Sequence, residues 1–135
     1  MRISEPQRLC LSLPGAEARR PFADKPELVA VTVGGKWFAL FDDEAPEPDA
    51  SVNLKTDPDE AQALREAHRG IVPGWHMNKR HWNTVALESD VPDELIAALV
   101  EISHGLVLNS LTRRARLLIA AEGDREVSGD PTVDD

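Results

Sequence analysis

Two histidines, two tryptophans and an adjacent Lys79–Arg80 pair crowd into residues 74–85, GWHMNKRHWNTV, which contain no acid. Imidazoles invite a metal, whereas amides and cations invite phosphate, and each chemistry demands its own spacing. Zinc needs three or four converging ligands. His76 and His81 are five apart in an irregular segment, His68 lies eight before His76, and the nearest acids, Glu66 and Glu88, fall outside the stretch. No metal site is expected. Nucleophilic catalysis needs a nucleophile within hydrogen-bond reach of its base. Ser103 and His104 adjoin on a helical pattern, where neighbours point about 100° apart and cannot pair. Cys10 falls on the apolar face of a first helix and reads as a small core residue. No catalytic residue, cofactor or small-molecule substrate is expected.

Two readings of 74–85 remain. In the bland one Trp82 anchors a sheet, Trp75 or His76 packs over it, Asn78 satisfies loop backbone and Lys79–Arg80 is a solvated tip. In the other the loop is a projecting wing. Lys79 and Arg80 then meet phosphates, and His76, Asn78 and His81 add hydrogen bonds.

The formal charge of −9 argues against a polyanionic partner only until it is located. Residues 122–135 contain six acids and one Arg, and residues 42–49 (DDEAPEPD) contain five acids and no base, which leaves about +1 for everything else. Surfaces respond to local potential more than to net charge. A single cysteine allows no intramolecular disulfide and fits a reducing cytoplasmic interior. MRISEPQRL has no apolar core of a signal peptide, and no apolar run is long enough to span a membrane.

The elements that must position these residues read as one α+β domain over 1–121, followed by an acidic disordered tail over 122–135. Ser4-Glu5-Pro6-Gln7 has the form of a capping box opening a helix that Pro14-Gly15 stops. A weakly patterned strand covers 17–22. LVAVTVGGKWFALF (28–41) predicts a hairpin about Gly34-Gly35, pairing Val33 with Lys36, Val31 with Phe38 and Val29 with Leu40. Its second face would carry Thr32, Trp37, Ala39 and Phe41, too aromatic for a solvated surface. SVNLK (51–55) alternates as a strand. A helix over 57–69 starts at Thr56 as N-cap and ends at Gly70 in the C′ position. WNTVAL (82–87) alternates with Val85 and Leu87 inward and Trp82 opposite. A last long helix begins at Pro92 with the stripe Leu95, Leu99, Ile102 and Leu106, widened by Ile96, Val100 and Val107. LTRRARLLIA extends it as a basic amphipathic segment. The order α-β-β-β-β-α-β-α predicts an antiparallel sheet with helices packed on it.

LPGAEARRPF (13–22), VGGKWFALF (33–41), SVNLKTDPDEAQALREAHRGIVPGWHMNKRHWNTVAL (51–87), VPDELIAAL (91–99) and SHGLV (103–107) together resemble the MmcQ/YjbR family of small bacterial proteins. The resemblance implies a sandwich related to secretion chaperones and frataxin, and a DNA-binding role attributed to a double-wing arrangement. Lys55, Asn78, Lys79, Arg80, His81 and Trp82 match its pattern. His104 stands where the family usually has Tyr, and the 42–50 loop is longer and more acidic than usual. Two expectations follow. DNA would be bound by Lys55, His76, Asn78, Lys79, Arg80 and His81, joined by Arg113, Arg114 and Arg116 if they share that face. The alternative is a protein partner or second subunit covering Trp37 and Phe41.

Overall fold

A computed structural model describes residues 1–74 and 77–129, the side chains of 124–129 excepted. The chain runs α1 (Ser4–Leu11), β1 (Ala16–Arg19), β2 (Leu28–Val33), β3 (Lys36–Asp42), a 3-10 turn (Glu47–Asp49), β4 (Ser51–Lys55), α2 (Pro58–Ala67), β5 (Ile71–Pro73), β6 (Trp82–Ala86), α3 (Asp93–Ser110) and α4 (Arg113–Gly129). The strands form one antiparallel sheet in the order β1-β2-β3-β4-β6-β5. This is the α+β architecture that the pattern predicts, with β5 added as a short edge strand and α4 separated from α3.

The hairpin holds the main correction. Gly34 and Gly35 take positive φ (58° and 81°), as a tight turn between twisted strands requires. Val33 faces Lys36 and Thr32 faces Trp37, but the next pairs are Val31–Ala39 and Val29–Phe41. Phe38 is therefore an extra residue, a β-bulge, and everything after it swaps faces. Ala39 and Phe41 join the core, while Leu40 turns outward with Trp37. Strict alternation could not reveal this, because a bulge inserts a residue without changing composition.

The fully buried hydroxyl of Ser103 explains why the bulge is stable. It donates to the Phe38 carbonyl (2.5 Å) and accepts from the Lys55 amide (2.9 Å). The β3–β4 ladder stops at Ala39–Leu54, so neither group has a strand partner there. Next to it, His104 Nε2 meets the Pro14 carbonyl at 2.8 Å, and its ring lies edge-on to Phe38 at 5.1 Å. These polar anchors set the rotation of α3. Its buried positions are Ile96, Leu99, Val100, Ser103, His104 and Val107, whereas Ile102, expected inside, is exposed.

One face of the sheet carries Val29, Val31, Val52, Leu54, Phe41 and Val85 against Cys10, Ile96, Leu99 and Val100 of the helices. Burial pushes the Cys10 thiol up to about 12, which fits the small core residue its position suggests. Other expectations shift by a residue or two. The N-cap of α1 is Ile3, not Ser4, and no side chain caps it. Asp57 rather than Thr56 precedes α2, which ends at Ala67 with an extended His68. Gly70 has no positive φ; its role is close approach, since a Cβ there would lie 2.2 Å from Ser89 Oγ. Thr112 Oγ1 accepts from the Ala115 amide and so caps α4. That helix continues through Gly129, into the segment read as a tail, and 130–135 lie outside the described residues.

Candidate functional site: an aromatic cleft on the open face of the sheet

The helices pack on one face of the sheet, and among the described residues the opposite face carries a cleft walled by loops. Outward residues of its strands (Leu28, Trp37, Leu40, Asn53 and Trp82) form the floor of a cleft of about 890 Å3. Asn53 is held rigid, donating to the Leu40 carbonyl at 3.1 Å and accepting from Thr84 Oγ1 at 2.5 Å. Three segments wall the cleft. One is the β1–β2 connection, whose Phe22 meets Trp37 edge-on at 6.0 Å. Another is the acidic loop through Asp42, Ala45, Pro46 and Asp49, and the last is Met77–Asn78. Arg20 ties the first two walls together. Its guanidinium donates to Asp43 at 2.6 Å and to the Pro26 carbonyl, and the Asp43 bond raises the Arg20 pKa above its usual value.

The predicted wing is the β5–β6 connection. Asn78 organises it: its side chain accepts from the Arg80 amide (3.0 Å) and its carbonyl from the Trp82 amide (2.9 Å). Arg65 of α2 straps the loop from below. It donates to Asn83 Oδ1 (2.6 Å), to the Lys79 carbonyl and to the Trp82 carbonyl (3.4 Å). Asn83, 2 % exposed, passes the link on by donating to the Ala61 carbonyl (3.3 Å). Lys79 and Arg80 project into solvent, with no ion pair among the described residues.

The structure separates the other predicted contacts. Lys55 is half-buried beside Trp82, and His81 is half-buried with its carbonyl accepting from the Thr56 amide. Trp75 and His76 lie outside the described residues. Arg113 and Arg114 are exposed at the start of α4, and Arg116 donates to the Asn109 carbonyl. That helix sits at the β1–β3 corner, where Leu111 abuts Gly34 and Ile119 abuts Gly15; β4 stands between this corner and β6. The arginine cluster stands on α4 and the wing on the β5–β6 connection. Of the alternative pair, Trp37 faces the cleft and Phe41 is in the core. Sequence reasoning missed Phe22, Leu40, Arg65 and Asn83. Only Asn83 carried a signal, a polar residue in phase with the inward Val85 and Leu87.

Asp90 secures the outer edge. Its two oxygens accept from the Gly70 and Arg69 amides, both at 2.8 Å, and His68 Nδ1 lies 3.9 Å away. The Gly70 bond foremost, then the Arg69 bond, holds its carboxyl below the usual range. A depressed folded-state pKa contributes stability that is complete above the unfolded value of about 3.9 and disappears as pH falls through the folded one. Asp90→Asn should therefore be less stable than wild type at neutral pH, with the gap closing as pH falls below about 4. Urea titrations across that range would show it, and a pH-independent gap would contradict it.

The comparisons follow the same outline. A family model described as YjbR matches residues 11–106. The chain belongs to the YjbR family. It is 34% identical over 119 residues to the protein YjbR of Escherichia coli (strain K12), covering 88% of this chain and 98% of that one. It is 35% identical over 108 residues to YbdF of Escherichia coli O157:H7, covering 80% and 85%. Among solved structures, Deinococcus radiodurans protein DR2400, with a DUF419 domain, superposes at a TM-score of 0.80 with 34% identity over 88% of each chain. A Pseudomonas syringae protein of 28% identity gives 0.59 over 68% of this chain and 86% of its own. The family's match takes in β2–β3, the 42–50 loop and the β5–β6 connection, so every wall of the cleft lies within it. No helix among the described residues is long and apolar enough to cross a membrane.

Proposed function

We propose that this YjbR-family chain is a cytoplasmic binding protein without a chemical step of its own, and that the open sheet face receives an apolar segment of a protein partner. The observation that supports this reading is the cleft: a β-floor bearing the half-buried Trp37 and Leu40 beside the buried Trp82, of a size that takes a few side chains. Large aromatic side chains in such clefts dominate binding energy. Peptides selected from a random library on the full chain should carry a bulky apolar residue. Trp37→Ala should weaken them about thirtyfold, the effect of losing one aromatic anchor. Leu40→Thr, a second floor position, should weaken them too. Selected peptides that bind Trp37→Ala and Leu40→Thr as tightly as wild type would reject the reading. A dimer by light scattering that Trp37→Ala dissociates would identify the occupant as a second copy.

A second reading, DNA contact through the wing, rests on the exposure of Lys79 and Arg80 on a loop braced by Asn78 and Arg65. Two phosphate contacts predict that log affinity falls against log salt with a slope of about −2. Duplex affinity that is insensitive to salt, or unchanged in Lys79→Ala/Arg80→Ala, would remove it.

A further inference from the structure

The acids that make the chain so negative are not spread evenly around the cleft. Asp24 from the β1–β2 connection, Asp42 from the end of β3 and Asp49 from the 3-10 turn all line it, against one cation among the described residues, Lys25. None of the three forms an ion pair among the described residues. Their neighbour Asp43 is already matched by Arg20 at 2.6 Å, and Glu47 lies 3.8 Å from Arg2, so the two cations that reach this loop are engaged by other acids. Asp42 uses one oxygen to accept from the Glu44 amide at 2.8 Å, which fixes the carboxylate rather than neutralising it.

An apolar floor with uncompensated carboxylates at its margin repels anions and favours a ligand that is greasy in the middle and positive at its ends. The floor strengthens that preference, because the half-buried indole of Trp37 attracts cations as well as apolar groups. Resting on the cleft's role as a binding site, we infer that its occupant is a basic segment of a protein partner, with one bulky apolar side chain seated over Trp37 and flanking Lys or Arg residues meeting Asp24, Asp42 and Asp49.

Three labelled peptides of about a dozen residues, enough to cross such a groove, would share one apolar anchor and differ only in flanks of Arg and Lys, of Gln, or of Glu. Titration of the full chain by fluorescence anisotropy should rank them basic, neutral, acidic. Each exposed charge contact is worth a factor of about two to five, so the basic peptide should lead the neutral one by about tenfold or more at low salt and by less at high salt. Asp24→Asn/Asp42→Asn/Asp49→Asn should erase that lead and leave the neutral peptide's affinity in place. Equal affinity of wild type for all three peptides would overturn the inference while the cleft reading stands. A basic preference that survives in the triple variant would place the attraction outside these three carboxylates and overturn it as well. Failure of all three peptides to bind would sink the cleft reading together with the inference.

Discussion

Ser103→Ala is expected to lose about 3 kcal/mol of folding free energy, because it leaves two buried backbone groups, the Phe38 carbonyl and the Lys55 amide, without partners. In a urea titration the midpoint should fall with little change in slope. Ser12, an exposed residue whose hydroxyl only bonds back to the Leu9 carbonyl, supplies the control: Ser12→Ala should change stability by less than about 0.5 kcal/mol. A loss below about 1 kcal/mol at Ser103 would mean that the bulge finds another donor, and that the hydroxyl does not hold β3 in its shifted register. The consequence for function is direct. The bulge is what turns Leu40 outward beside Trp37, so a chain that relaxed it would lose the cleft floor along with the stability.

The second large effect is expected beneath the wing. Asn83→Ala should cost about 3 kcal/mol, since Arg65 Nε and the Ala61 carbonyl both lose a partner in a buried setting. Arg65→Ala should cost about 2 kcal/mol, in keeping with the loss of charge-assisted hydrogen bonds. The two residues touch, so the double variant should be less damaging than the sum by about 1.5 kcal/mol. Additivity within about 0.3 kcal/mol would show that Arg65 acts through the wing carbonyls alone. Arg65→Lys should not restore stability, because an ammonium cannot reach Asn83, Lys79 and Trp82 with the spread donors of a guanidinium. Hydrogen exchange supplies a local readout: the Trp82 amide, bonded to the Asn78 carbonyl, should lose protection in Arg65→Ala more than amides of the β2–β3 hairpin do.

These two anchors show where reading the chain residue by residue runs out. Ser103 and His104 cannot pair as nucleophile and base, because adjacent helical residues diverge. That geometric reason holds, and it also lets each reach a different target, Ser103 the β3 bulge and His104 the Pro14 carbonyl. Arg65 sits in an ordinary helical stretch and nothing in LREAHR distinguishes it from its neighbour Arg69. Their difference appears only when α2 is laid over β6.

The hydrophobic alternation of 28–33, 51–55 and 82–87, the glycine pair at 34–35 and the apolar helix after Pro92 were enough to predict an antiparallel α+β domain. They were enough because each is a local periodicity that a strand, turn or helix must satisfy wherever it ends up. The family was legible for the same reason, as contiguous residues. The faces were not. A single inserted residue at Phe38 reverses inside and outside, sending Phe41 to the core and Leu40 to the surface, and no local pattern records it. Charge grouping escaped in the same way. Asp24, Asp42 and Asp49 are spread over 26 positions of the chain, and they became one rim only when their loops met at the cleft. Local periodicity decides which elements form, but the proximity of residues far apart in sequence is a property of packing, and the proposed site consists of such residues.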